Sequence, residues 1–157
     1  MTTYNEIKET KEYKNDKNCC TVIASSVVFD EDFAKMQLIY DGEGRRRNKG
    51  LMPSETRRIF KKLADQRGYQ CKQIKQIDMD KFGGVGVTVN RVEAYLDPRK
   101  RYFISVKGHI IGAVAGKIQD WTEGRRNRVK EIWELTPPKT EKKVELTQWQ
   151  KMMMGLK

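Results

Sequence analysis

Residues 101–121 read RYFISVKGHIIGAVAGKIQDW, and this stretch decides the fold. Arg101 to Val106 alternates as a half-buried strand does, and Gly108 to Val114 is a short apolar run. Ala115-Gly116 supplies turn chemistry for a two-residue hairpin, and Lys117 to Trp121 returns as a further strand. With Ala115 and Gly116 as the central turn residues, Val114 faces Lys117 and Ile111 faces Asp120. Side chains alternate along a strand, so His109 and Ile111 share a side. Asp120 then becomes a diagonal neighbour of His109, about 5–8 Å away between Cβ atoms. A one-residue slip would send Asp120 to the opposite face.

Towards the C-terminus, Val129, Glu131, Trp133 and Leu135 alternate onto one face of a last strand, which Pro137-Pro138 stops. Before it, Glu123-Gly124-Arg125-Arg126-Asn127 forms a basic loop. Residues 137–157 are expected as a tail in which Trp149 and Met152-Met153-Met154 give a short amphipathic helix that docks on the body or on a partner.

Towards the N-terminus the pattern turns helical. Tyr69 to Ile77 begins with a strand, Gly83-Gly84-Val85-Gly86 reads as a turn, and residues 88–96 read as a short helix. The glycine run lacks the lysine and Ser/Thr of a phosphate-binding loop. Ser54 is expected to cap a helix through Arg67 that is closed by Gly68, with Ile59, Phe60 and Leu63 in the core. Asp30 is expected to cap a helix carrying Phe33, Met36, Ile39 and Tyr40 on its buried stripe. A helix opening at Cys20 carries Val22, Ile23, Val27 and Val28. Residues 1–17 read as a loosely packed polar arm. Helices first and strands afterwards give an α+β fold over residues 18–136, with N-terminal helices packed on a C-terminal antiparallel sheet.

At 157 residues the chain is long enough for a core without disulfide staples. The three cysteines, Cys19, Cys20 and Cys71, are odd in number and two are adjacent, which speaks for free thiols in a reducing compartment. No apolar run approaches the roughly 18 residues of a membrane span, and Met1 to Asn18 lacks the apolar core of a signal peptide. A cytoplasmic location is expected. The net charge of +11 attracts acidic partners: nucleic acid, an acidic protein or peptide, or an anionic membrane face, of which a membrane partner is not expected. Arg45, Arg46 and Arg47 in one loop and Arg125, Arg126 and Arg128 in another are the candidate contacts.

His109 is the only histidine, so any Cys–His chemistry must use it. Cys20 stands where polar Asn15-Asp16-Lys17-Asn18 gives way to the helical pattern. Unpaired N–H groups and the helix dipole at that position stabilise a thiolate. Cys19 points elsewhere. Asp120 beside His109 would hold the imidazole in one orientation and stabilise its charged form. A zinc site on Cys19, Cys20, Cys71 and His109 has the ligand count but no Cys-x-x-Cys pair. No metal or other cofactor is expected.

The segments Cys19-Cys20-Thr21-Val22, Gly108-His109-Ile110-Ile111, Asp120-Trp121 and Arg125-Arg126-Asn127-Arg128-Val129 occur in the order cysteine on an early helix, then histidine and acid on later strands. Over roughly residues 15–135 this resembles the papain-like cysteine peptidase superfamily, and within it small papain-like proteins of bacteriophages and bacteria. The resemblance implies a papain-like fold and a cysteine hydrolase, a peptidase by default. It assigns Cys20 as nucleophile, His109 as general base and Asp120 as orienting acid, in host cytoplasm if the origin is a phage. Cys19 stands where the pattern usually has Asp, and Ile23 where Arg is common. No Gln precedes Cys20 to serve as oxyanion donor, so Asn15 or Asn18 is the candidate, with the Cys20 backbone N–H. The alternative reading is a basic binding protein without catalysis.

Overall fold

The computed structural model describes residues 1–138 and 148–153. Five strands, β1 (Gln70–Gln73), β2 (Arg101–Val106), β3 (His109–Val114), β4 (Lys117–Gln119) and β5 (Glu131–Thr136), form one antiparallel sheet in the order β1-β5-β2-β3-β4. Seven α-helices accompany them among the described residues: α1 (Tyr4–Lys8), α2 (Lys11–Lys14), α3 (Cys20–Val28), α4 (Phe33–Gly42), α5 (Pro53–Gln66), α6 (Val89–Val92) and α7 (Gln148–Met153). The fold class is α+β. None of the helices is long and apolar enough to cross a membrane.

Both faces of the sheet are covered, and period-two alternation sorts its residues between two cores. Phe103, Ile110, Val114, Trp133 and Leu135 pack with the helical side, against Val22, Val27, Phe60 and Leu63. Tyr102, Ile104, Ile111, Ala113 and Ile132 pack on the other side, against Met79, Phe82, Val89 and Val92. Phe60 of α5 stacks on Phe103 of β2 with centroids 4.3 Å apart.

The central hairpin has the expected register, with Val114 opposite Lys117 and Gly112 opposite Gln119. Its turn is of the type in which both central residues have positive φ, +53° at Ala115 and +75° at Gly116. β4 stops at Gln119, so Asp120 and Trp121 lie just beyond the strand. Gly108 belongs to the turn between β2 and β3, and β5 begins at Glu131, after Val129.

Three expectations are corrected. The first residues are not a loose arm: Thr3 and Glu6 form a reciprocal cap on α1, Thr10 caps α2, and Ile7 is buried in the helical core. Asp30 does not cap α4, because Asp32 stands at that position; Asp30 accepts from the N–H and hydroxyl of Thr2 at 2.7 and 3.0 Å. Ser54 lies inside α5, since Pro53, with its fixed φ and missing N–H, takes the first helical position. In the tail, Gln150 of α7 reaches the Leu38 carbonyl while Met152 and Met153 face outward. The expectations for Trp149 and Met154 concern side chains outside the described residues.

Candidate active site

Helix α3 opens at Cys20, and its first intrahelical backbone bond runs from Ile23 N–H to the Cys19 carbonyl. The N–H groups of Cys20, Thr21 and Val22 therefore point out of the helix end. Asn18, with φ +57°, turns the chain into the helix, leaving Cys19 in the core at 4% exposure and Cys20 half-buried at the surface of a cleft.

His109 begins β3. Helix α3 lies directly on that strand at Gly112, where a Cβ would come within 2.8 Å of the Ala24 carbonyl oxygen. This close crossing brings the start of the helix to the start of the strand, and Cys20 and His109 line the same cleft. Asp120, 4% exposed, meets the ring from beyond β4: its Oδ2 lies 2.8 Å from His109 Nε2. That leaves Nδ1 as the ring nitrogen for the sulfur. The same Oδ2 accepts from the Thr122 N–H at 3.1 Å and the Thr122 hydroxyl at 2.6 Å.

The electrostatics follow from this placement. Burial pushes the Cys20 thiol up, but the His109 ring, the Ile110 N–H and the charge of His109 outweigh it, and the thiol lies below its ordinary value. Burial would lower His109. Its bonds to Asp120 and Cys20 overcome that and raise it to about 9. Both shifts run in the direction that favours a thiolate–imidazolium pair. The other thiols move the opposite way: burial raises Cys19 to about 12 and Cys71 to about 11.

Trp121, 48% exposed, sits beside the His109 ring at 5.1 Å, and the Arg125 guanidinium lies 5.3 Å from its indole. The cleft encloses about 710 Å³ and is lined in part by Lys14, Lys17, Asn18, Lys107 and Asn127.

The oxyanion candidates separate. Asn18 lines the cleft and donates from Nδ2 to the Asn48 carbonyl at 3.3 Å. Asn15 is the exposed C-cap of α2, outside that lining.

The basic loops separate as well. Arg45 is withdrawn from any partner: it is 3% exposed and clamps buried Asp16 with bonds of 2.7 and 2.9 Å. Asp16 also accepts from Gln37 and from the Asn48 N–H, so this buried pair ties the loop before Cys20 to the loop after α4. Arg47 bonds Asp41, and Arg46 is exposed. Arg125, Arg126 and Arg128 are all exposed.

Cys71 lies on β1, three strands from β3 and so roughly 14 Å away across the sheet. Cys19 is turned into the core. Among the described residues, no three His, Cys, Asp or Glu side chains are grouped to hold a metal.

Thr122 and Asp16 were not anticipated from the sequence. Thr122 has a local signal, an Asp followed two residues on by Thr, whose N–H can close an Asx turn. Asp16 has none, because its partner is 29 residues away. Comparison with protein-family models, curated proteins and solved structures finds no match for the chain.

Proposed function

We propose that the chain is a cysteine hydrolase of the papain-like type, a peptidase acting by acyl transfer through Cys20, His109 and Asp120. One observation carries this reading: the chain's only histidine is bonded through Nε2 to a buried aspartate and lies beside a cysteine at a helix start, with its pKa raised and that of the thiol lowered.

In the proposed mechanism the Cys20 thiolate attacks the substrate carbonyl carbon, and the oxyanion forms at the open N–H groups of α3, with the Asn18 amide as a second donor. The imidazolium of His109 gives its proton to the leaving amine as the C–N bond breaks, leaving a thioester on Cys20. Water then attacks the thioester while His109 takes its proton. The acid product departs, and the thiolate–imidazolium pair is restored. Asp120 holds the ring through its bond to Nε2.

The test is alkylation by iodoacetamide followed by peptide mapping of the three thiols, in the parent and in His109→Ala. Preferential modification of Cys20 that depends on His109 is expected. Equal reactivity of Cys19, Cys20 and Cys71 would refute the reading.

A second reading, a basic binding protein, draws on the exposed Arg125, Arg126 and Arg128 beside the exposed Trp121 ring and on the net charge of +11. It expects salt-sensitive binding of an acidic protein or nucleic acid that survives Cys20→Ala.

A further inference from the structure

Cys20 and His109 stand on a divide between two hollows, since both residues, together with Leu51, Val106 and Gly108, line each of them. The two hollows differ in chemistry. The larger is the cleft of about 710 Å³, where Lys14, Lys17 and Lys107 are exposed. Its one carboxylate, Asp16, is neutralised by Arg45. Among the described residues none of the three lysines is in an ion pair, so this side presents uncompensated positive charge.

The smaller hollow, about 300 Å³, lies between α5 and the sheet. Phe60 and Trp133 line it, buried and set edge to face at 5.3 Å, with Val106, Ile110, Leu51 and Pro53 as apolar neighbours. Apart from Lys130, which is exposed, its charged residues Arg57 and Glu131 are paired with each other at 3.4 Å, and Glu131 also accepts from Gln73 and Ser105. Neither is left to attract a charged group. A hollow of this size, with two aromatic rings in its wall, suits one large apolar side chain, and an aromatic ring best of all.

We propose that the substrate is a peptide with an aromatic or large aliphatic residue on one side of the reacting carbonyl and acidic residues on the other. The apolar side chain enters the hollow against Phe60 and Trp133, and the carboxylates lie along Lys14, Lys17 and Lys107. This rests on the reading of Cys20 as nucleophile. It goes beyond that reading by assigning the residues that select the substrate.

The experiment uses two series of short peptidyl electrophiles on the full chain, with iodoacetamide as the reference reagent. One series carries a C-terminal chloromethyl ketone and the other an N-terminal chloroacetyl group, so the peptide leaves the sulfur in opposite directions. In each case Cys20 sulfur displaces chloride. One series should alkylate Cys20 about 10- to 100-fold faster with Phe or Leu than with Ala next to the reactive carbon. The other should favour Asp and Glu over Lys, in a salt-sensitive way that Lys17→Glu/Lys107→Glu reverses.

If iodoacetamide singles out Cys20 but neither series discriminates, or the charge preference is for Lys, the substrate assignment is overturned and the nucleophile stands. If iodoacetamide does not single out Cys20, both fall together.

Discussion

Gly112 of β3 lies against the backbone of Ala24 in α3, so closely that a Cβ at residue 112 would sit 2.8 Å from the Ala24 oxygen and 3.1 Å from its Cα. Backbone atoms cannot rotate aside as a flexible side chain would. Cys20 is four residues before one partner and His109 three before the other, so this contact sets the separation of sulfur and imidazole. Gly112→Ala should force the helix off the strand and cost about 1–3 kcal/mol. Each kcal/mol corresponds to about 2–4 °C in melting temperature for a chain of this size. The same variant should lose much of the His109-dependent alkylation of Cys20 even at temperatures where circular dichroism shows it folded.

The shifts at Cys20 and His109 predict a bell-shaped dependence of turnover on pH. The acid limb marks ionisation of the thiol, below its ordinary value of 9.0, and the alkaline limb marks loss of the His109 proton at about 9. Removing the charge of Asp120 by Asp120→Asn takes away the leading influence that raises His109, so the alkaline limb should move to lower pH. His109→Ala should move the onset of thiolate reactivity upwards, which the pH profile of iodoacetamide alkylation measures.

Stability should follow the same histidine. Its folded value of about 9 exceeds the unfolded 6.5, so its protonation favours the fold fully below pH 6.5 and that contribution is lost as pH rises through 9. Denaturant titrations of parent and Asp120→Asn should therefore differ more at pH 6 than at pH 9.5. A constant difference would mean that the Asp120–His109 bond does not favour the protonated ring.

The buried pair of Asp16 and Arg45 predicts opposite outcomes for adjacent arginines. Both side chains are fully shielded from solvent. Arg45→Ala would leave a buried carboxylate whose partner is gone, and should cost about 3–5 kcal/mol. Arg46→Ala, at an exposed position, should change stability by no more than about 0.5 kcal/mol. Urea unfolding of the two variants measures the contrast, and equal effects would mean that Asp16 is satisfied by Gln37 and the Asn48 N–H alone.

These arginines also mark where the sequence was legible. Period-two alternation and a two-residue turn are local, so Ala115-Gly116 specified the hairpin register, and with it the approach of Asp120 to His109. The start of α3 at Cys20 was legible because a polar stretch gives way there to apolar residues at helical spacing. Arg45, Arg46 and Arg47 are indistinguishable in sequence, and only the return of a distant loop carrying Asp16 buries the first. The order of residues does not show that Ile7 inserts into the helical core, which made residues 1–17 look like a loose arm. Nor does local pattern reveal the apolar hollow, whose lining comes from α3, α5, β2, β3 and β5.

Ala115 offers a last test, which links turn chemistry to the site. It holds φ +53° in a conformation that costs a residue with a Cβ about 1 kcal/mol or more, and that asparagine tolerates better. Ala115→Asn should therefore raise stability by about 0.5–1 kcal/mol while leaving the His109-dependent reactivity of Cys20 intact, because the register is preserved. Ala115→Pro imposes φ near −65° and cannot keep this turn. The strand after it would re-pair or detach, and Asp120 would leave His109. Its alkylation profile should then approach that of Asp120→Asn, with the helical core still folded. If Ala115→Pro instead kept a parent-like profile, the hairpin register would not be what holds the acid against the imidazole.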